Sequence, residues 1–588
     1  MRPVAPAALV LLVAAGCGAH ALPPDGPSPA RRTAEIALHV LVPKARPQLS
    51  RAWRHQNFIS ASTSGLAVAV YAHGTRASAI ATVTADIASG SPLCTNGASG
   101  RACTVKLPAL APHVAYDFVV SNYDRAPVGG GFSGAKELGV GVATATLTAG
   151  SANAISVTIS GIVASLSFAA LTPFPAIGVS TQTATVSALD PDGNVIVSDA
   201  YVDASGNPML VRMSADATAP GAVTFSPSSF SSPPNGVGVR YSSAADSASQ
   251  LQNGFSTVLT ATPSNGVASA SATLSIAAPS FSSSTIPTGN SGPMGLVLGP
   301  DGAVWFVENA AAKIGRITTG GTIDEYPTIS PSSAPDAIAV GSDGALWFTE
   351  FGTGSIGRIP TDATPGSSAQ IAEFSGSGAG SDPTGIASGA GGDLWFAQSA
   401  ASANAVTRMT LQGVTTTFGI PSAGSDPVAM SKAPDGSVWF VESAGNAIAR
   451  TSPNGTITEF SIPTAASAPS AIAPGPDEAM WFTEYAGNNI GRIPLGASSS
   501  SQISEYPIPT SGAEPAGIAL GPDGAMWFTE FGASNVGRIP TTAVAGSGSS
   551  ILEFQLPGKL TGPGSIVTGS DGALWFAEVC ANVIGRLQ

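Results

Sequence analysis

The sequence predicts an all-β protein in which two β-sandwich (Ig-like) domains precede a seven-bladed β-propeller closed by an N-terminal outer strand. Three observations predict it. The dipeptide Trp-Phe recurs seven times in the second half, at Trp305, Trp347, Trp395, Trp439, Trp481, Trp527 and Trp575, and Trp53 is the one tryptophan outside the series. Successive spacings are 42, 48, 44, 42, 46 and 48 residues, and a Gly-rich, β-forming repeat of about 40–50 residues is the mark of one propeller blade per repeat. Ahead of the repeats, residues 34–278 carry short alternating apolar runs separated by turn residues, which is the rhythm of sandwich strands.

Composition narrows the function classes. Only 10% of the 588 residues are charged, well below the usual share of about 25%, and small polar residues abound, as in exported β proteins. Residues 1–277 hold 14 Lys/Arg and 12 Asp/Glu, whereas residues 278–588 hold 10 and 25. The second half is therefore acidic, and no basic stripe exists to neutralise phosphates, which excludes a nucleic-acid partner.

In chain order, residues 1–21 read as an export signal, with Arg2 ahead of an apolar run from Ala7 to Ala15 that is too short to span a bilayer. Val13-Ala14-Ala15-Gly16-Cys17 matches a lipobox in which Cys17 becomes the lipidated N-terminus, and Ala19-His20-Ala21 offers ordinary cleavage instead. The expected location is extracytoplasmic, either secreted or lipid-anchored at a bacterial envelope, with membrane contact only through that lipid. Residues 22–33 form a Pro-rich linker.

The first sandwich is expected over 34–161, interrupted by a basic loop from Arg46 to Arg54. Cys94 and Cys103 flank the loop TNGASGRA and are expected to form a disulfide. The second sandwich, 162–278, contains TQTATVSALDPDGNVIV, which resembles bacterial Ig-like repeats. Its Asp190, Asp192 and Asn194 are spaced like the start of a calcium loop, but the twelfth-position carboxylate is missing, so a plain turn is expected. All five histidines, His20, His39, His55, His73 and His113, precede residue 114 and show no metal-ligand spacing.

Each propeller repeat, 279–588, divides into four strands. A proline stands 12 residues before every repeat tryptophan: Pro293, Pro335, Pro383, Pro427, Pro469, Pro515 and Pro563. A small apolar strand follows, then a Gly-Pro-Asp-Gly type turn supplying positive φ, then Trp-Phe-x-Glu, whose alternation sends the two rings to opposite faces. Ile-Gly-Arg-Ile and an outer ITEYP-like strand complete the blade. The chain after Arg586 has no outer strand to offer, and residues near 280–287 align with the outer strands of other repeats. They are expected to close the ring and hide both sheet edges. Cys580 is expected to be a small buried residue.

Two repeated polar sets stand out. The glutamates Glu308, Glu350, Glu442, Glu484, Glu530 and Glu578, with Gln398 in blade three, end the second strand near the channel mouth. They are the candidates for holding a ligand or a cation, magnesium or calcium, with the metal left unassigned. The arginines Arg316, Arg358, Arg408, Arg450, Arg492, Arg538 and Arg586 recur with the tryptophans as structural residues, and a cross-strand Glu–Arg pairing is the structural alternative for the glutamates. Blade three departs through Gln398 and a loop to Arg408 that is two residues longer than the others.

GPDGAMWFTE followed by GRIP and an EYPIP-like strand resembles the streptogramin (virginiamycin B) lyase family over residues 280–588. The resemblance implies a carbon–oxygen lyase that opens a cyclic depsipeptide by elimination across its ester, using a histidine base, acidic groups and magnesium on the loop face. No histidine lies between 114 and 588, and the residues after the leading prolines are Met294, Asp336, Thr384, Val428, Ser470, Ala516 and Gly564. The expected function is therefore an exported, surface-tethered, monomeric binding module for a small molecule, glycan or protein. The alternative is a divalent-cation-dependent lyase or lactone hydrolase working through Asp/Glu.

Overall fold

A computed structural model describes residues 10–12, 34–43, 63–96, 100–147, 154–157, 159–175, 177–193, 195–196, 200–203, 207–216, 223–234, 236–242, 252–264, 266–375, 380–558 and 560–588. Strands dominate throughout. The chain divides into two compact units: residues 1–172, 181–240 and 256–275 form one, and residues 173–180, 241–255 and 276–588 the other.

In the first unit, Ala34–Pro43 pairs with Gly100–Leu110 in a three-stranded sheet, and a six-stranded sheet is built on Gly65–Ala72, Ala115–Tyr123 and Glu137–Thr146. Alternating residues of both sheets meet in one core, including Ile36, Leu38, Val105, Val68 and Phe118. Ser160–Ile162 pairs with Glu137–Thr146 on one side and Tyr201–Val202 on the other. The boundary expected at 161/162 thus falls inside a strand. Cys94 and Cys103 are opposite one another in the ladder and are disulfide-bonded. Asp190 accepts a hydrogen bond from the backbone N–H of Asp192 at 2.9 Å, and Lys136 Nζ donates to Asp192 at 3.0 Å, so this segment is a tied-down turn. Cys17, Trp53, His20, His55 and Asn194, the linker 22–33 and the side chain of His39 lie outside the described residues.

The second unit carries seven four-stranded antiparallel sheets. Blade one is Pro293–Leu298, Val304–Glu308, Lys313–Ile317 and Ile323–Pro327, in that order across the sheet. Blades two to six repeat the plan, and blade seven takes its outer strand from Phe281–Thr285. That strand runs antiparallel to Val583–Leu587, from Phe281 opposite Leu587 to Thr285 opposite Val583. The first strands of neighbouring blades adjoin all the way round, blade seven to blade one included. They therefore ring a central channel.

The aromatic pair holds blade to blade. Trp305 packs with Phe348 of the next blade, Trp347 with Phe396, Trp395 with Phe440, and Trp439 with Phe482. Trp481 then packs with Phe528, Trp527 with Phe576 and Trp575 with Phe306, which completes the circle. The glycine of Ile-Gly-Arg gives the phenylalanine its seat: a Cβ on Gly315 would stand 2.1 Å from the ring of Phe306. The closing junction uses the same chemistry as the internal ones. Asn582 Oδ1 accepts from Ser291 N at 2.7 Å and Oγ at 3.0 Å, just as Asn446 Oδ1 accepts from Ser467 N and Oγ at 2.7 and 2.9 Å.

Candidate functional site

The six second-strand glutamates and Gln398 stand opposite the leading prolines, as in Pro293 opposite Glu308 and Pro515 opposite Glu530. This puts them at the end of the blade where loops enter the first strand, yet they do not face the mouth. Glu308, Glu350, Glu442, Glu484 and Glu530 are 0% exposed, Gln398 5% and Glu578 7%. In blades one, two, four, five and six each acid meets the outer-strand glutamate of its own blade: Glu325, Glu373, Glu459, Glu505 and Glu553.

The outer glutamates have defined partners. Glu325 Oε1 accepts from Thr288 N at 2.8 Å, Glu459 from Ser422 N at 3.0 Å, Glu505 from Thr464 N at 2.8 Å and Glu553 from Thr510 N at 2.9 Å. The inner ones are poorly served. Asn489 and Asn535 donate to Glu484 and Glu530, and Thr353 to Glu350; Glu308 has only the nearby Ser291 hydroxyl, and among the described residues neither oxygen of Glu442 has a donor. Burial, then the neighbouring glutamate, pushes Glu308 and Glu350 up to about 7 and Glu442 up to about 8. Burial likewise raises Glu484 and Glu530 to about 8, the neighbouring glutamates adding to it and the asparagines opposing it. A buried acid beside a carboxylate is kept neutral by such surroundings and becomes a hydrogen-bond donor.

These residues do not fit magnesium. The ion dehydrates reluctantly and keeps several waters, whereas the glutamate seats are sealed within the blades. Among the described residues no three His, Cys, Asp or Glu side chains converge as a metal-binding group.

The expected Glu–Arg pairing is also corrected. In blades one, two, five, six and seven the arginine pairs with the aspartate of the Gly-Pro-Asp-Gly type turn, at the opposite end of the blade. Arg316 Nε donates to Asp301 Oδ2 at 2.7 Å, while Trp305 Nε1 donates to Asp301 Oδ1 at 3.1 Å. Register explains it, since Arg316 stands opposite Trp305, three residues from Glu308 and beside the turn. The guanidinium also lies 5.8 Å from the indole centre. Cys580 is exposed rather than buried, because it lies in the loop after the second strand and not in the strand itself.

The channel end itself presents the residues after the leading prolines. Thr384 Oγ1 and Ser470 Oγ donate to the carbonyls of Pro427 and Pro515 in the neighbouring blades, at 2.8 and 3.0 Å. Met294 is exposed. Asp336 stands out: among the described residues it has no hydrogen-bond or charged partner, and burial pushes its carboxyl up to about 6. Glu514, directly before Pro515, adopts φ 49° and accepts the Tyr485 hydroxyl at 2.7 Å. Sequence reasoning passed over Glu514 and the outer glutamates. The signals were an acid before the proline in blades three, four and six, and the recurrent Glu-Phe/Tyr of the outer strands.

The family model described as "Virginiamycin B lyase family" matches residues 268–400 and 365–588, more than half of the chain. The chain belongs to that family. A solved streptogramin B lyase is 34% identical over 53% of this chain and 97% of its own, with a TM-score of 0.48. Virginiamycin B lyase from Staphylococcus aureus matches at the same identity and TM-score over 99% of its length. So does a catalytically inactive histidine-to-alanine variant of that enzyme with quinupristin. The virginiamycin B lyase family region here begins at residue 268, just before the strand Ala270–Ile276.

Proposed function

We propose that this lyase-family propeller is a ligand-binding ring without lyase turnover, carried by an exported and surface-tethered protein. The observation that supports this reading is that residues 114–588 contain no histidine. Proton abstraction at neutral pH calls for a base with a pKa near 7 that reaches the substrate. The repeated glutamates do not serve, being sealed inside the blades against other glutamates. The mouth keeps the makings of a ligand site: the enclosed carboxyl of Asp336, the exposed Met294 and Phe351, and Glu514 with its Tyr485 partner. Apolar walls with a few placed polar groups are what such sites require. The leader and Cys17 support export and lipid attachment; no helix among the described residues is long and apolar enough to cross a membrane.

One observation favours a second reading, a carboxylate-based lyase. Asp336 is a lone carboxyl held at about 6, within the working range of a general base. Both readings are tested by incubating the full chain with quinupristin, following the intact ring by chromatography and the complex by calorimetry. Binding with the ring intact is the expected result. Ring opening that disappears in Asp336→Asn would replace the binding reading with the second one, and failure to bind would put the ligand outside the cyclic depsipeptides.

A further inference from the structure

The turn face of the propeller, opposite the channel mouth just described, carries its own repeated device, and blade three breaks it. In blades one, two, five, six and seven one aspartate carboxylate takes two donors. It accepts the indole N–H of the tryptophan four residues on, at 3.0–3.1 Å, and the arginine Nε–H at 2.7–2.9 Å. Blade four keeps the indole satisfied through Ser437 Oγ at 2.9 Å. In blade three the corresponding position is Gly391.

Both donors are left without their acceptor. Trp395 is 3% exposed, and its Nε1–H has no hydrogen-bond partner among the described residues. Arg408 Nε lies 3.6 Å from Asp393 Oδ2, which is too far for a hydrogen bond. Both are nonetheless held in place: Trp395 stacks on Phe418 with centroids 5.5 Å apart, and Arg408 Nη1 donates to the Pro453 carbonyl at 3.1 Å. Where the aspartate would stand there is a cleft between blades three and four, lined by Gly391, Asp393, Trp395, Arg408, Ser452 and Pro453. A Cβ built on Gly391 would meet nothing within 4 Å.

We propose that this cleft binds a carboxylate-bearing small molecule, whose carboxylate takes the place of the missing aspartate and accepts hydrogen bonds from Trp395 Nε1 and Arg408 Nε. The chemistry is that of the other five blades with the acid supplied from outside. Charge-assisted bonds to a guanidinium are the stronger kind. Asp393 is the opposing group. Its carboxylate shares Arg408 and repels an incoming anion, so the site holds a simple acid weakly and favours ligands with further contacts along Ser452 and Pro453.

The test uses the full chain with 15N-labelled indoles, which gives one cross-peak for each of the 8 tryptophans, and acetate as the probe. The Trp395 peak is assigned by its disappearance in Trp395→Phe. Acetate, titrated against chloride at equal ionic strength, is expected to shift that peak alone and to saturate. Asp393→Asn should tighten binding several-fold, since it removes the opposing charge. Gly391→Asp should place the peak among those of the other blades and make it insensitive to acetate; Arg408→Met, which leaves the turn unchanged, should abolish saturation. A Trp395 peak that does not move, that moves together with all the others, or that responds equally in Arg408→Met would overturn the proposal.

Discussion

At the scale of single residues, the turn aspartates show how a short repeat does two jobs. Asp523 and Arg538 are the most enclosed pair, with side chains 0% and 7% exposed, and Trp527 Nε1 shares the same carboxylate. Asp523→Ala should cost about 3–5 kcal/mol in denaturant unfolding, because it strands a buried cation. Asp343→Ala, whose pair is partly solvated, should cost about 1–2 kcal/mol, the value of hydrogen bonds to a charged group near water. The buried glutamates give a pH signature. Glu442 is raised from 4.5 to about 8 by burial, so its favourable contribution is complete below about pH 4.5 and is lost as pH rises through 8. Melting temperature should therefore fall between pH 5 and pH 9, and Glu442→Gln, which mimics the neutral acid, should flatten part of that fall. A melting temperature that rises over this range would contradict the assignment. Asp-Gly is legible in sequence as a turn former, but the destination of its carboxylate is not, because the indole and guanidinium it serves lie on the next two strands. The glutamates mislead for a related reason: a position beside the mouth says nothing about the face to which a side chain turns.

At the scale of the blade, most of the architecture was legible. The fixed proline-to-tryptophan interval set the first two strands of every blade. The alternation in Trp-Phe placed each ring against a different neighbour, as the seven clusters show. The borrowed outer strand was legible too, since a blade without its fourth strand must find one. Replacing Ser282 and Ser283 together by proline removes two N–H groups from the strand that faces Gly585 and Arg586 and should open the ring, lowering the melting temperature by several degrees and exposing an edge that promotes association. An unchanged melting profile would mean that closure rests on the Asn582 contacts instead. The role of the third-strand glycine was not legible. It reads as a weak strand residue until the neighbouring phenylalanine ring is seen to occupy its Cβ position.

At the scale of the whole molecule, alternation identified the strands of the front half but not their sheet partners, which is why Ser160–Ile162 joins the larger sheet across an expected boundary. Attachment is tested directly: Cys17→Ala should move the protein from the membrane fraction to the soluble extracytoplasmic fraction, and an unchanged distribution would remove the lipid anchor from the account. We propose that this propeller of the virginiamycin B lyase family has kept the ring and given up the elimination. The most direct measurement is mass spectrometry of a streptogramin B incubated with the full chain, with magnesium and with EDTA. An intact macrocycle is expected in both arms, with loss only at the uncatalysed rate. Linearised product that accumulates with magnesium and is abolished by EDTA would contradict it.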